Sequence, residues 1–129
     1  MSKRFEVLVV DDEPIVGKRL KVALEKTGYD VEVFDSGPAA LERIGEKQFD
    51  FVVTDVRMDN VDGIDILNKV TETSPRTKVI IITGYATIEL AREALVKGAY
   101  DFIAKPFQPD DLREVLERAV KARELDSDK

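Results

Sequence analysis

Acidic residues follow two apolar runs of this chain, at the point where each run ends. Asp11 and Asp12 come directly after residues 7–10, and Asp55 comes directly after residues 51–54. Two unit charges about 4 Å apart repel by roughly 4 kcal/mol at an effective dielectric near 20, so crowded carboxylates need shifted protonation or a cation. An all-oxygen set favours Mg²⁺ or Mn²⁺, and Mg²⁺ typically bridges one or two carboxylates to phosphate oxygens. The acids therefore indicate a metal-assisted phosphoryl site.

A hydroxyl and an ammonium end two further apolar runs. Thr83 follows residues 79–82, and Lys105 follows residues 100–104. The Thr83 hydroxyl can donate to a phosphoryl oxygen, and Lys105 supplies a compact positive charge. Phosphoryl transfer depends mainly on positioning and charge neutralisation, and a carboxylate can be the attacking nucleophile. These groups are compatible with formation of an aspartyl phosphate.

The segments that carry these residues alternate between strand-like and helix-like patterns. Strands are expected at 5–10, 31–34, 49–54, 78–82 and 100–104. Helices are expected at 14–27, from 36 or 37, at 63–73, at 87–97 and from 109. The alternation predicts an α/β fold with a parallel sheet, and the alternating polarity of the second strand places that strand at an edge. Because ligands bind at the carboxyl ends of such strands, we expect the acids, Thr83 and Lys105 to converge.

Apolar spacing within the helices predicts which residues face the core. In the first helix Ile15, Leu20 and Leu24 are expected to point inward, and in the fourth helix Leu95 is expected to do so. We expect one domain over residues 1–124, followed by a short tail or the start of a linker at 125–129.

Composition narrows the class of protein. The chain has 129 residues, enough for one substantial core, and a net charge of -6, which disfavours direct nucleic-acid binding. It has no Cys or His, which excludes disulfides, thiolate sites and imidazole catalysis. Neither a signal peptide nor the roughly 20 apolar residues of a membrane span is evident, so we expect a cytoplasmic domain without membrane contact.

Each site residue also has a purely structural interpretation. An Asp after a strand is more often a helix cap, and residues 11–14, Asp-Asp-Glu-Pro, could be an ordinary helix start. Thr83 and Lys105 would carry little information alone. The functional interpretation is favoured because four strand ends carry compatible groups at one edge.

Four motifs then occur in a recognisable order and spacing. They are Val-Val-Asp-Asp-Glu at 9–13, Val-Thr-Asp-Val-Arg-Met at 53–58 with Asp-Gly at 62–63, Ile-Ile-Thr-Gly at 81–84, and Lys-Pro-Phe at 105–107. With them the chain resembles the receiver domain of two-component response regulators over nearly its whole length, most closely in pattern the NtrC type. The resemblance implies a flavodoxin-like, CheY-like (βα)5 three-layer sandwich with strand order 2-1-3-4-5.

The resemblance also assigns roles at the site. It implies that Asp55 is the phosphoacceptor, and that Asp12, Asp55 and the backbone carbonyl of Arg57 bind Mg²⁺ directly. Asp11 would act through a metal-bound water, and Lys105 would contact the phosphoryl group. The chain would promote its own phosphorylation and dephosphorylation and would not be an enzyme towards other substrates.

A switch and partners are implied in the same way. A sensor histidine kinase or phosphotransfer protein would donate the phosphoryl group, Thr83 would reorient to hydrogen-bond it, and Phe102 would rotate into the vacated space. The face of helix 4, strand 5 and helix 5 would then bind a partner or a second copy. The resemblance therefore implies control of a downstream output, transcription, and a phosphorylation-dependent homodimer is one of the two ways in which this face could act.

Three departures from the family pattern are visible. Phe102 stands where Tyr is common, so its signal would be carried by packing alone. Asp59 and Asn60 follow Met58 where Pro is common, which adds an acid near the site. Arg57 and Tyr85 occupy the two variable positions that tune hydrolysis, and their bulk predicts a long-lived phosphate.

Two other functions use similar groups. Phosphatases of the haloacid dehalogenase type also combine an Asp nucleophile with Mg²⁺, but they need an Asp-x-Asp pair after the first strand, whereas Asp11 and Asp12 are adjacent. A flavodoxin-like cofactor binder would need a Ser-, Thr- or Gly-rich first loop, and the acids at 11–13 would repel its phosphate.

Overall fold

Five parallel strands form one sheet. The protein is described by a computed structural model over residues 4–58 and 61–127, without the side chains at 85 and 125–127. In this part of the chain the strands are β1 (Glu6–Val10), β2 (Asp30–Phe34), β3 (Phe51–Asp55), β4 (Lys78–Thr83) and β5 (Asp101–Ala104). The helices are α1 (Pro14–Lys26), α2 (Gly37–Glu46), α3 (Gly63–Thr73), α4 (Ile88–Val96) and α5 (Pro109–Ser127), with a 3-10 turn at Tyr85–Thr87.

The strand order confirms the predicted fold class. The sheet runs β2-β1-β3-β4-β5, and every neighbouring pair is parallel. Helices cover both faces, which makes the α/β three-layer arrangement that the sequence pattern and the resemblance implied. The prediction that the second strand lies at an edge is also confirmed, because β2 pairs with β1 alone.

Alternate residues of each strand enter two separate cores. Leu8 and Val52 lie in the core under α2, α3 and α4, whereas Val9 and Val53 lie in the core under α1 and α5. Full burial of such a side chain stabilises the fold by about 1.5–3 kcal/mol. Since both faces of the sheet are covered, residues 7–10, 51–53 and 79–82 of the three central strands are all apolar, whereas the edge strand β2 carries Glu32 in its middle.

Two predictions about helix faces are wrong. The Ile15 side chain is 67% exposed, and Leu95 is 36% exposed at the end of α4. At 100° per residue Ile15 lies about 140° around the helix from Leu20 and about 180° from Leu24, so it faces away from the core that these two leucines enter. In α4 the small residues Ala91 and Ala94 make the buried contact.

Several other expectations concern the ends of elements. Helix α5 continues to Ser127 and so includes three residues that were predicted to belong to a tail. The predicted departure at Asp59 and Asn60 lies outside the described residues, and so does the side chain of Tyr85. Among the described residues, no helix has the length and apolar character needed to cross a membrane.

Candidate functional site

Two adjacent strands bring three carboxylates together at one edge of the sheet. Val10 is paired with Thr54 in the register of β1 and β3, so Asp11 and Asp55 emerge side by side. Asp12 follows on the same loop, and the three acids each offer an oxygen within 4.8 Å of the others. The convergence that the sequence predicted for Asp11, Asp12 and Asp55 is therefore present in the structure.

Asp11 is the most buried of these acids. Its side chain is 0% exposed, and Oδ1 accepts a hydrogen bond of 2.8 Å from the backbone N–H of Glu13. Burial raises the pKa of Asp11 above its ordinary value, and the charges of Asp55 and Glu13 add to the rise, whereas the Glu13 amide and Lys105 oppose it. Asp11 Oδ2 has no hydrogen-bond partner, although Lys105 Nζ lies 3.6 Å away.

Asp55 is held from two sides. Lys105 Nζ donates to its Oδ2 at 3.0 Å, and the backbone N–H of Arg57 donates to its Oδ1 at 3.2 Å. The Asp55 side chain is 13% exposed, so a small molecule or a partner can reach it from solvent. Arg57 itself is exposed beside it.

Lys105 is the cation of the site. Its Nζ also lies 3.3 Å from Glu13 Oε1, and the backbone N–H of Lys105 donates to the Thr83 carbonyl at 2.8 Å, which fixes the loop that follows β5. The Lys105–Pro106 peptide bond is cis. Partial burial works against the charged ammonium, but the hydrogen bond and charge of Asp55, together with Asp11 and Glu13, outweigh it, and the pKa of Lys105 is raised.

Thr83 and Phe102 lie on the strands beside this group. Thr83 is fully buried, and its Oγ1 lies 2.6 Å from Thr87 Oγ1 and 3.2 Å from the Gly84 carbonyl oxygen. Phe102 is half-buried and packs against the core under α2, α3 and α4. Its partner in the register of β4 and β5 is Ile81, two residues before Thr83.

Two residues near the site were not predicted. Glu13 contacts Lys105, although its place beside Asp12 and Pro14 suggested only a helix start. Thr87 contacts Thr83, although its place suggested only the beginning of a helix. The sequence carries one signal for both, a polar side chain within four residues of a strand-end group, and this signal is common in loops.

The donor set fits a hard divalent cation. The three carboxylates supply only oxygen ligands, and the buried Asp11 Oδ2 lacks a hydrogen-bond partner that a metal ion or a metal-bound water would provide. Lys105 already offsets part of the negative charge, and a divalent cation held by Asp11, Asp12 and Asp55 would offset the rest.

Known proteins are similar to this chain in sequence. The model of the response regulator receiver domain family matches residues 7–117. The transcriptional regulatory protein ZraR of Escherichia coli K12 is 41% identical over 116 residues, which are 90% of this chain and 26% of ZraR. FixJ of Bradyrhizobium diazoefficiens is 34% identical over 124 residues, which are 96% of this chain and 60% of FixJ. The chain thus spans only part of the length of these transcriptional regulators.

Solved structures share the fold. NtrX from Brucella abortus superimposes with a TM-score of 0.90 at 31% identity, over 98% of this chain and 29% of NtrX. A CheY-like receiver domain protein from Methanospirillum hungatei JF-1 gives a TM-score of 0.90 at 30% identity, over 96% of this chain and 99% of that protein. Several relatives are NtrC-type regulators, as the sequence pattern predicted. With sequence and fold in agreement along nearly its whole length, this chain belongs to the family of response regulator receiver domains.

Proposed function

We propose that Asp55 accepts a phosphoryl group from the phosphohistidine of a sensor histidine kinase or phosphotransfer protein. Receivers of this family are phosphorylated by histidine kinases. The observation that carries the assignment is the contact of 3.0 Å between Lys105 Nζ and Asp55 Oδ2 within a group of three carboxylates. Among these acids Asp55 combines partial exposure with a direct contact to the ammonium.

In this proposal the residues of the chain position and neutralise the reacting groups. A carboxylate oxygen of Asp55 attacks phosphorus while the P–N bond of the donor breaks, and the imidazole, which already carries a proton on its other ring nitrogen, leaves as the neutral ring. Lys105 contacts a phosphoryl oxygen, and Thr83 donates its hydroxyl to another. Asp12, Asp55 and the Arg57 carbonyl, with Asp11 through a water, would hold Mg²⁺, which supplies further neutralisation of the phosphoryl oxygens. The same groups would promote hydrolysis of the aspartyl phosphate.

The acceptor is tested with acetyl phosphate and intact-mass measurement. The wild-type chain should gain the mass of one phosphoryl group in the presence of Mg²⁺ and far less after chelation. Asp55→Asn should abolish the gain, because the nucleophilic oxygen is replaced by an amide nitrogen.

Asp35→Asn is the matched control. Asp35 also follows a strand, β2, but it is exposed and is not a member of the three-carboxylate group. This variant should be modified like the wild type. Modification of Asp55→Asn to the wild-type extent would show that the acceptor is another residue.

We infer that the output is transcriptional and that it requires chain beyond this domain. ZraR and FixJ are named as transcriptional regulatory proteins, and this chain matches 26% and 60% of their lengths. We infer from such an output that the domain lies in the cytoplasm.

A phosphorylation-dependent homodimer through α4, β5 and α5 belongs to the same proposal and is supported by Val96, which is 89% exposed at the end of α4. Solution mass with and without beryllofluoride tests it.

A further inference from the structure

The hydroxyl of Thr87 makes its hydrogen bonds with residues that precede Thr87 in the chain. Thr87 occupies the N-cap position of α4, where a Thr side chain usually accepts from an amide of the first helical turn. Here it makes no such cap. Its Oγ1 accepts from the backbone N–H of Gly84 at 3.0 Å and lies 2.6 Å from Thr83 Oγ1 and 3.2 Å from the Gly84 carbonyl oxygen. The side chain therefore contacts three groups of Thr83 and Gly84, at and just after the end of β4, instead of capping its own helix.

Every donor proton in this group of hydrogen bonds already has an acceptor within the group. Three donors are present: the hydroxyls of Thr83 and Thr87 and the N–H of Gly84. If Thr83 donates to Thr87, then Thr87 donates to the Gly84 carbonyl; if Thr87 donates to Thr83, then Thr83 donates to that carbonyl. In both cases the Gly84 amide donates to Thr87. Neither the Thr83 hydroxyl nor the Gly84 N–H has a proton free for a new acceptor.

We propose that Thr87 is a positioning residue. While Asp55 is unmodified, the Thr87 hydroxyl keeps the Thr83 hydroxyl and the Gly84 amide in hydrogen bonds within this loop, so that neither is free to bind a phosphoryl group. The inference rests on the proposed function, because it needs an acceptor near Asp55 that competes for the same donors. A phosphoryl group presents strong, charged acceptors, and hydrogen bonds to charged groups are stronger than those between neutral groups. Binding of that group must first break the contact between Thr83 and Thr87. The strength of this contact therefore sets part of the free-energy difference between the two states of the loop.

Removing the Thr87 hydroxyl should favour the modified state. Thr87→Val keeps the shape of the side chain but removes its bond to Thr83 and its bond to the Gly84 amide. Thr83 retains the Gly84 carbonyl as an acceptor, so its buried hydroxyl is not left without a partner. We expect Thr87→Val to bind beryllofluoride with Mg²⁺ about fivefold to tenfold more tightly than the wild type, which corresponds to the net contribution of about one hydrogen bond. Titration calorimetry measures this affinity.

Thr87→Ser is the matched control, because it retains the hydroxyl and should keep the wild-type affinity. A second measurement reports on the contact itself without beryllofluoride. The amide proton of Gly84 should exchange with solvent faster in Thr87→Val than in the wild type or in Thr87→Ser, as seen by NMR. Thr87→Ala also lacks the hydroxyl and replaces Thr87→Val if circular dichroism shows that the valine variant does not fold.

The outcomes separate this inference from the function on which it rests. If the wild type fails to bind beryllofluoride, the proposed function fails and the role of Thr87 fails with it. If the wild type binds but Thr87→Val and Thr87→Ser have equal affinities, only the role of Thr87 is overturned. Equal exchange of the Gly84 amide in the three proteins would likewise overturn it, because the contact would then not restrain that amide in solution.

Discussion

Lys105 balances the charge of the site through three different carboxylates. Its Nζ lies 3.0 Å from Asp55, 3.3 Å from Glu13 and 3.6 Å from Asp11. Glu13 is 65% exposed, so its contribution is weakened by solvent, whereas Asp11 is fully buried. An incoming phosphoryl group would have to draw the ammonium from contacts that already exist. In the unmodified site the ammonium of Lys105 therefore already contacts Asp55, the proposed acceptor.

Gly63 allows the start of α3 to pack against the backbone that carries Asp55. A Cβ at this position would lie 2.8 Å from the Asp55 carbonyl oxygen and 2.8 Å from Val56 Cα, and neither backbone atom can move without moving the acceptor. We expect Gly63→Ala to lower the free energy of unfolding by about 1–3 kcal/mol, the usual range for overpacking. It should also slow acetyl phosphate modification of Asp55. Urea unfolding and intact mass measure the two effects.

Gly45 provides the matched comparison. It is exposed within α2, and the nearest atom to an added Cβ is Lys69 Cε at 3.8 Å, the end of a flexible side chain. Gly45→Ala should raise stability by about 0.5–1 kcal/mol, because alanine has the better helix propensity. Equal effects of the two substitutions would contradict the close approach at Gly63.

Charged side chains from α2 and from Lys47, which follows it, contact the edge strand β2. Glu32 accepts from Arg43 at 2.9 Å and 3.0 Å and from Lys47 at 3.1 Å, and Lys47 also lies 3.3 Å from Glu6. The hydrogen bond from Arg43 holds the pKa of Glu32 below its ordinary value of 4.5; partial burial opposes this, and Lys47 reinforces it. A charged, occupied edge is also a poor template for pairing with another strand.

This network predicts a pH dependence of stability. Since the pKa of Glu32 is lower in the folded chain than in the unfolded chain, the unfolded chain binds the proton more readily. The contribution of Glu32 is therefore fully present above pH 4.5 and is lost as the pH falls through the lower, folded value. Glu32→Gln should be less stable than the wild type at neutral pH, and the difference should shrink in acid. Urea unfolding across this range measures it.

Glu46→Gln is the control for this series. Glu46 accepts a single, longer bond of 3.4 Å from Arg43 and is 57% exposed. Its substitution should change stability little at any pH. A difference between wild type and Glu32→Gln that stays constant from neutral pH into acid would count against the proposed origin.

The molecule as a whole is acidic, with a net charge of -6, and three of its acids meet at one point. A cation that binds the folded site but not the unfolded chain stabilises the fold by mass action. We expect Mg²⁺ at about 100 times its dissociation constant to raise the free energy of unfolding by about 2.7 kcal/mol. Thermal or urea unfolding with increasing Mg²⁺ measures this increase.

Two controls separate binding from screening. Asp12→Ala should lose most of the Mg²⁺-dependent increase in the free energy of unfolding, because it removes the exposed carboxylate of the three. Asp35→Asn should retain this increase. NaCl at the same ionic strength should produce a much smaller effect, since it only screens charges. An equal response of the wild type to NaCl would mean that no specific metal site contributes to stability.

Much of the fold and of the site was predictable because both follow from where apolar runs end. Buried parallel strands need apolar residues on both faces, so the five runs locate the sheet, and the first polar residue after each run lies at its carboxyl edge. Asp11, Asp55, Thr83 and Lys105 were selected in this way, and the structure brings Asp11 and Asp55 into contact with Lys105. Membership in the receiver family then decided among the three kinds of phosphate chemistry that the residues alone left open.

Contacts between distant loops could not be read from the sequence. The ion pair of 2.8 Å between Arg123 and Asp50 joins the last helix to the loop before β3, and the residues around Arg123 give no indication of this contact in the sequence. Ile15 was misplaced because its apolar side chain was taken to be buried, although helical geometry puts it on the side opposite Leu24; exposed apolar residues of this kind are common on protein surfaces. Such details depend on side-chain direction and on how loops cross, which sequence spacing does not specify.

Residue types and their order along the chain were thus enough to predict the α/β architecture and the acidic edge, because polarity and burial repeat with the periods of helix and strand. The resemblance to the family came from the order and spacing of four short motifs. Tertiary structure alone decided that Asp11 is buried while Asp12 is exposed, that Glu13 shares Lys105, and that Thr87 engages Thr83. These relations depend on the direction of each side chain and on how the loops at this edge pack. Their energies change with differences in distance of a few tenths of an ångström, which a linear pattern does not encode.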